Sequence, residues 1–378
     1  MLSYLRGGIA LLVLTGLLAF AGSALASPAP VVGHVYVDGN TTGVNTITGY
    51  DRHADGRLSQ ISGSPFFAGG AGTGSSIPSQ GAIQISSDGR YVLAVDAGSN
   101  QISVLRIRSD GALRLVRGAV VSSGGSDPVS LAEHDGVVYV ANAGSGDANY
   151  TGFLLTRGGH LLSLPGSTVP LPDAAQPGDV LFNSTGSNLV GTRVATSQID
   201  SFRVGRDGRL DPAPGSPFPA QGPGPFGSAF RPTNPSQLFV SNAHGGAGAG
   251  TVSAFNVAAD GALSAIGTSP FKDNQTAPCW VELTHDGRFL FTVNTASANI
   301  SSYAIASDGT LSLLGSTPAG GLGAASEDAR LSTDGRDLYV NETGAGVIGE
   351  FAVNGGTLTA LSSALVPTGA GAAGLATG

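Results

Sequence analysis

From about residue 31 onward, short apolar runs alternate with Gly, Asn, Asp and Ser. Val35-Tyr36-Val37, Tyr91-Val92-Leu93-Ala94-Val95, Val137-Val138-Tyr139-Val140-Ala141 and Leu338-Tyr339-Val340 are typical. Runs of this kind between turn residues read as β-strands. One phrase returns seven times: Asp-Gly or Gly-Gly followed by a strand containing Leu. Its second glycines are Gly56, Gly111, Gly159, Gly208, Gly261, Gly309 and Gly356, spaced by 55, 48, 49, 53, 48 and 47 residues. A second series, Asp88-Gly89, Asp135-Gly136, Asp286-Gly287 and Asp334-Gly335, precedes Tyr- or Phe-rich strands. Asp-Gly between apolar runs signals a hairpin, because its turn needs φ > 0.

Each repeat therefore holds four strands. In the sixth they are predicted at Trp280–Leu283, Phe289–Val293, Ile300–Ile305 and Thr310–Leu314. Four strands at this period match a propeller blade; immunoglobulin-like units would need about 100 residues each. The first strand, Val35-Tyr36-Val37, has second-strand character with no inner strand before it. The final stretch, Gly371 to Ala376, has inner-strand character with nothing after it. The expected fold is all-β: a seven-bladed β-propeller of four antiparallel strands per blade, one domain over 31–378. The C-terminal segment completes the first blade and removes the free edge.

The N-terminus reads differently. Arg6, the apolar run Ile9 to Phe20 and Ala24-Leu25-Ala26 form a signal-peptide pattern over 1–26. The rival, a membrane anchor, needs about 20 unbroken apolar residues, and Gly7, Gly8, Gly16 and Gly22 interrupt this run. A secreted or periplasmic protein with no later membrane span is expected. With 41% hydrophobic residues the chain is not disordered, and a net charge of −8 argues against nucleic acid. Cys279 is the only cysteine, which excludes an intramolecular disulfide. Nothing calls for an oligomer, so a monomer is expected.

Segments such as Ser86-Ser87-Asp88-Gly89-Arg90-Tyr91-Val92, Asn299-Ile300-Ser301-Ser302-Tyr303 and Ser332-Thr333-Asp334-Gly335-Arg336-Asp337-Leu338-Tyr339-Val340 resemble the repeat of lactonase-family propellers. That family includes 6-phosphogluconolactonase and carboxymuconate-cyclising types. The resemblance implies ring opening of a lactone. Active members typically carry a His-bearing step such as Pro-Arg-His at inner-strand starts. Here the matching steps read Ser79-Gln80-Gly81-Ala82, Pro177-Gly178-Asp179, Pro225-Phe226-Gly227-Ser228, Pro278-Cys279-Trp280 and Glu327-Asp328-Ala329. None contains His or Arg. This chain looks like an exported, chemically altered branch, with 6-phosphogluconolactone a poor fit.

In a four-stranded blade the short Asp-Gly turns share one face, and the second-to-third loops and crossovers share the other. The long, varied segments, among them Phe67 to Gly81, Asp211 to Pro225 and Ala243 to Gly250, lie on that second face, where sites usually form. Of the histidines only His244 belongs there; it reads as a general base or as a solvated loop residue. Asp179 and Asp328 are the acid/base candidates beside it. Gln80, Trp280, Glu282 and Arg330 are candidates for holding substrate, with blade packing the plainer role for Trp280. Asp127, Asp179 and Glu327 offer oxygen ligands to a hard cation such as Ca²⁺, although no cofactor is required, and Asp before a strand is also an ordinary turn residue. Cys279 near His244 suggests a thiol nucleophile, or a small buried hydrophobe. Gly69 to Gly74 reads as a flexible crossover over the channel. Asn40 heads one of six glycosylation sequons. Two functions stay open: a lactone hydrolase, or a non-catalytic propeller binding a glycan, peptide or cell-wall component.

Overall fold

The computed structural model describes residues 29–378 except 322, 324 and 368–370. The segment read as a signal peptide lies outside the described residues. Seven antiparallel sheets form the blades. Their innermost strands are Gly374–Thr377, Ile83–Ile85, Pro128–His134, Pro177–Phe182, Pro225–Arg231, Pro278–Leu283 and Ser326–Leu331, for blades 1 to 7. Each packs on the next in cyclic order, and blade 7 returns to blade 1. The ring closes as the strand pattern predicts. Gly374–Thr377 pairs with Val31–Asp38 in the register Val35↔Thr377, Tyr36↔Ala376, Val37↔Leu375 and Asp38↔Gly374.

The recurring turn also joins blades. Tyr36, Tyr91, Tyr139 and Tyr339, on second strands, are fully buried. Each hydroxyl donates to a backbone carbonyl in the third-to-fourth turn of the next blade: Gly111 (2.8 Å), Arg157, Gly208 and Gly56 (each 2.9 Å). A buried tyrosine needs such a partner, and the turn supplies one at a fixed place.

Outer strands differ from the simple prediction. In blades 1, 3, 4 and 5 they split into two short pieces, such as Leu58–Gln60 and Phe66–Phe67. Pro65, Pro165, Pro217 and Pro270 sit in the four gaps; a proline there removes a ladder donor and blunts the exposed edge. In blade 6 the outer strand is continuous and runs Leu311–Pro318, past the predicted end.

The crossover from blade 1 to blade 2 is bonded rather than loose. Gly72 N donates to Thr41 O and Gly74 N to Asn40 O, both at 2.8 Å. Gly72 is glycine because of close approach: a Cβ there would lie 2.1 Å from the Asn40 carbonyl carbon. Gly72→Ala should lower stability by about 2–3 kcal/mol, the upper range for one substitution. Denaturant unfolding checks this, and an unchanged midpoint would mean that the crossover can lift away freely.

Candidate functional site

A cavity of about 500 Å³ opens on the second face. Ser75, Ser76, Ile77 and Pro78 of the bonded crossover form one wall. Asp127, Val129, Gln176, Pro177, Phe226 and His244 are among the others. Apart from His244, which lies in the second-to-third loop of blade 5, each of these residues lies in a crossover or at an inner-strand start. The chain turns sharply there: Asp127 and Gln176 hold φ of 51° and 46° immediately before inner strands. Asp127 is thus a turn residue as well as a wall residue, since Asp tolerates this conformation better than most side chains. His244 is exposed at the cavity, and Gly224 makes room for its ring, because a Cβ at Gly224 would stand 2.4 Å from His244 Cγ.

Past Pro78 the crossover runs into the ring. Ser79 and Gln80 are 0% and 4% exposed and bond to four blades. Ser79 Oγ donates to Val129 O (2.5 Å), and Trp280 Nε1 donates to Ser79 O (2.8 Å). Gln80 N donates to Gly178 O (2.8 Å), and Gln80 Nε2 to Ser228 O (2.6 Å). Gln80 Oε1 accepts from Val281 N (3.0 Å). Gln80 is therefore committed to backbone. Trp280, 2% exposed, stands edge-on behind Phe226 with ring centroids 5.2 Å apart. Phe226, not Trp280, presents the aromatic surface to the cavity.

Asp179 and Asp328 do not line the cavity or meet His244 there. They satisfy N–H groups on inner strands of neighbouring blades, which have no further strand to pair with. Asp179 Oδ2 accepts from Ser228 N (2.9 Å) and Oγ (2.5 Å). Asp328 Oδ2 accepts from Leu375 N (3.1 Å), while its Oδ1 accepts from Arg330 Nη1 (2.8 Å). Arg330 also approaches Glu282 Oε2 at 3.8 Å, with both side chains about one-fifth exposed (17% and 21%). Burial pushes Asp179 and Glu282 up to about 7, against the pull of Arg330. Glu282, Asp328 and Arg330 form one ionic group within the channel. No trio of His, Cys, Asp or Glu among the described residues is placed to hold a metal. Asp127 is at the cavity, Asp179 is bonded to Ser228, and Glu327 is bonded to Ser76. Cys279 is buried, and desolvation raises its thiol to about 12, which removes the thiolate that nucleophilic attack requires.

The sequence pattern of the family described as "Lactonase, 7-bladed beta-propeller" matches residues 41–153 and 187–372. The chain belongs to this family. No functionally curated protein matches it. Among solved structures, a provisionally assigned 6-phosphogluconolactonase from Bacteroides uniformis is similar to it at 20% identity and TM-score 0.72. That match covers 92% of this chain and 99% of the other. The periplasmic gluconolactonase PpgL of Pseudomonas aeruginosa is similar at 16% identity and TM-score 0.70, covering 91% and 98%. Likeness at these identities carries the fold. The lactonase-family ring here also shows no helix, among the described residues, long and apolar enough to cross a membrane.

Two residues that shape the cavity wall, one behind it and one in it, were missed by sequence reasoning. Asn40, noted only as a sequon, is fully buried. Its Nδ2 donates to Thr73 Oγ1 (2.7 Å) and Ser75 O (2.5 Å), and its Oδ1 accepts from Thr73 N (2.8 Å). It fixes the crossover wall. Ser76, in that wall, donates to Glu327 Oε1 at 2.5 Å. Nothing in the local sequence marks either contact.

Proposed function

We propose that this lactonase-family propeller is an exported hydrolase that opens an uncharged lactone by addition of water at the second-face cavity. The observation that carries the reading is the character of the cavity wall: hydroxyls, one carboxylate and one imidazole set among Ile77, Pro78, Val129, Pro177 and Phe226. About 500 Å³ suits a small cyclic ester. A phosphate group calls for Arg or Lys, and the described wall residues include neither. Asp127 would repel it. The pattern at 1–26 supports export, and the description of the Pseudomonas aeruginosa relative as a periplasmic gluconolactonase fits both points.

The second reading, a scaffold that binds a glycan or cell-wall component, is favoured by the engagement of Asp179, Asp328 and Gln80 with backbone groups. Lactone hydrolysis followed by proton release separates the two. Unphosphorylated sugar and aliphatic lactones should be opened at least about tenfold faster than 6-phosphogluconolactone. EDTA should not reduce the rate, and His244→Ala, which removes the one imidazole of the cavity wall, should lower it by about tenfold. Failure to open any lactone would leave the binding scaffold.

A further inference from the structure

We propose that Ser76 and Glu327 form a nucleophile and base pair that opens the lactone through an ester on Ser76. This rests on the lactone-hydrolase reading and adds a covalent step to it. Ser76 is exposed in the cavity wall, and its hydroxyl already points at Glu327 Oε1, 2.5 Å away. A serine becomes nucleophilic when a base within this reach takes its proton. The pair is fixed on both sides. Asn40 holds the backbone of Ser75, and Glu327 sits on the inner strand of blade 7, 7% exposed.

The second carboxylate oxygen, Oε2, is buried, and no residue among those described stands within hydrogen-bond geometry of it. An oxygen in that position makes the ionised form costly and strengthens proton affinity. Burial raises Glu327 to about 7, against the opposing pull of the Ser76 and Thr343 hydroxyls and with a smaller push from Asp328. A carboxylate tuned near neutrality is better matched to taking a hydroxyl proton than an ordinary one.

Ser76 Oγ bonds to the lactone carbonyl carbon while its proton moves to Glu327. The ring C–O bond then breaks, and the departing ring oxygen takes that proton. Water next adds to the Ser76 ester, giving one proton to Glu327. Ser76 Oγ leaves and recovers it. The sum is lactone plus water to hydroxy acid. The competing role for the contact is a tether between the crossover and blade 7.

A fluorophosphonate probe reports on the serine regardless of the natural substrate. It should place one adduct on Ser76, located by peptide mass. Ser76→Ala and Glu327→Gln should reduce labelling at least tenfold, while Ser76→Ala, although it takes a donor from Glu327, still melts in one cooperative transition. Glu327→Asp, which retains a carboxylate, covers the case in which the glutamine variant does not fold, and should keep partial labelling. Labelling of Ser76 in a protein that opens no lactone would uphold the pair and sink the lactone reading. Absence of label at Ser76, or lactone turnover by Ser76→Ala at the wild-type rate, would overturn the pair and leave the lactone reading standing.

Discussion

Deleting Pro367 to Gly378 should abolish folding: the truncated chain should be insoluble or show no cooperative melting transition. Four residue pairs join Gly374–Thr377 to the first strand. His34 and Gly378 extend the ladder with two further bonds, His34 N to Gly378 O at 2.7 Å and Gly378 N to His34 O at 2.9 Å. Removing them bares the edge of Val31–Asp38, where Val35, Tyr36 and Val37 are fully buried. It also strips Leu375 and Ala376 from the core and takes the Leu375 N–H away from Asp328. A buried carboxylate that loses a donor costs the structure several kcal/mol, against a whole stability of about 5–15 kcal/mol. Since Cys279 is the only cysteine, no disulfide can hold the ring instead. A soluble truncated protein with an unchanged melting temperature would show that the ring does not depend on this closure.

That closure was legible because its signals are local and periodic. Asp-Gly turns announce hairpins by backbone preference alone, and a lone second strand at one end demands a lone inner strand at the other. The position of the cavity followed in the same way, from long crossovers falling on one face. The roles of individual polar residues were not legible. Asp179 meets Ser228 at a separation of 49 residues, Asp328 meets Leu375 at 47, Gln80 meets Val281 at 201 and Ser76 meets Glu327 at 251. No short motif records such pairs. An acidic residue beside an inner strand reads alike whether it faces a substrate or the unpaired N–H of the next blade. Here the free edge of the innermost strands decides for Asp179 and Asp328, because an unpaired buried N–H must find an acceptor.

The same buried carboxyls should make the protein more stable in mild acid than in mild base. Asp38 is fully buried; its Oδ1 accepts from Asn45 Nδ2 (2.9 Å) and Asn40 N (3.0 Å), while Oδ2 has no partner among the described residues. Burial, with a smaller push from Asp96, raises it to about 8. Burial likewise raises Glu327, Glu342, Glu282 and Asp179 to about 7. In the unfolded chain these groups ionise near pH 4. Between about pH 4 and pH 8 the folded protein therefore holds more protons than the unfolded chain, so stability falls as pH rises through that window. The turn carboxylates Asp110, Asp207 and Asp308 work in the opposite sense. Each accepts the backbone N–H two residues on, which keeps it below the usual range. Their contribution is present above the unfolded value and is lost only as pH drops below about 4. The optimum should thus lie near pH 4–6, with a melting temperature about 5–10 °C higher at pH 5 than at pH 8.5. Asp38→Asn, which keeps the shape and removes the charge, should raise the melting temperature at pH 8.5 and leave it nearly unchanged at pH 5. A melting temperature that is flat or rises between pH 5 and 8.5 would mean that these carboxyls ionise in the folded ring, and that water or a bound cation reaches them there.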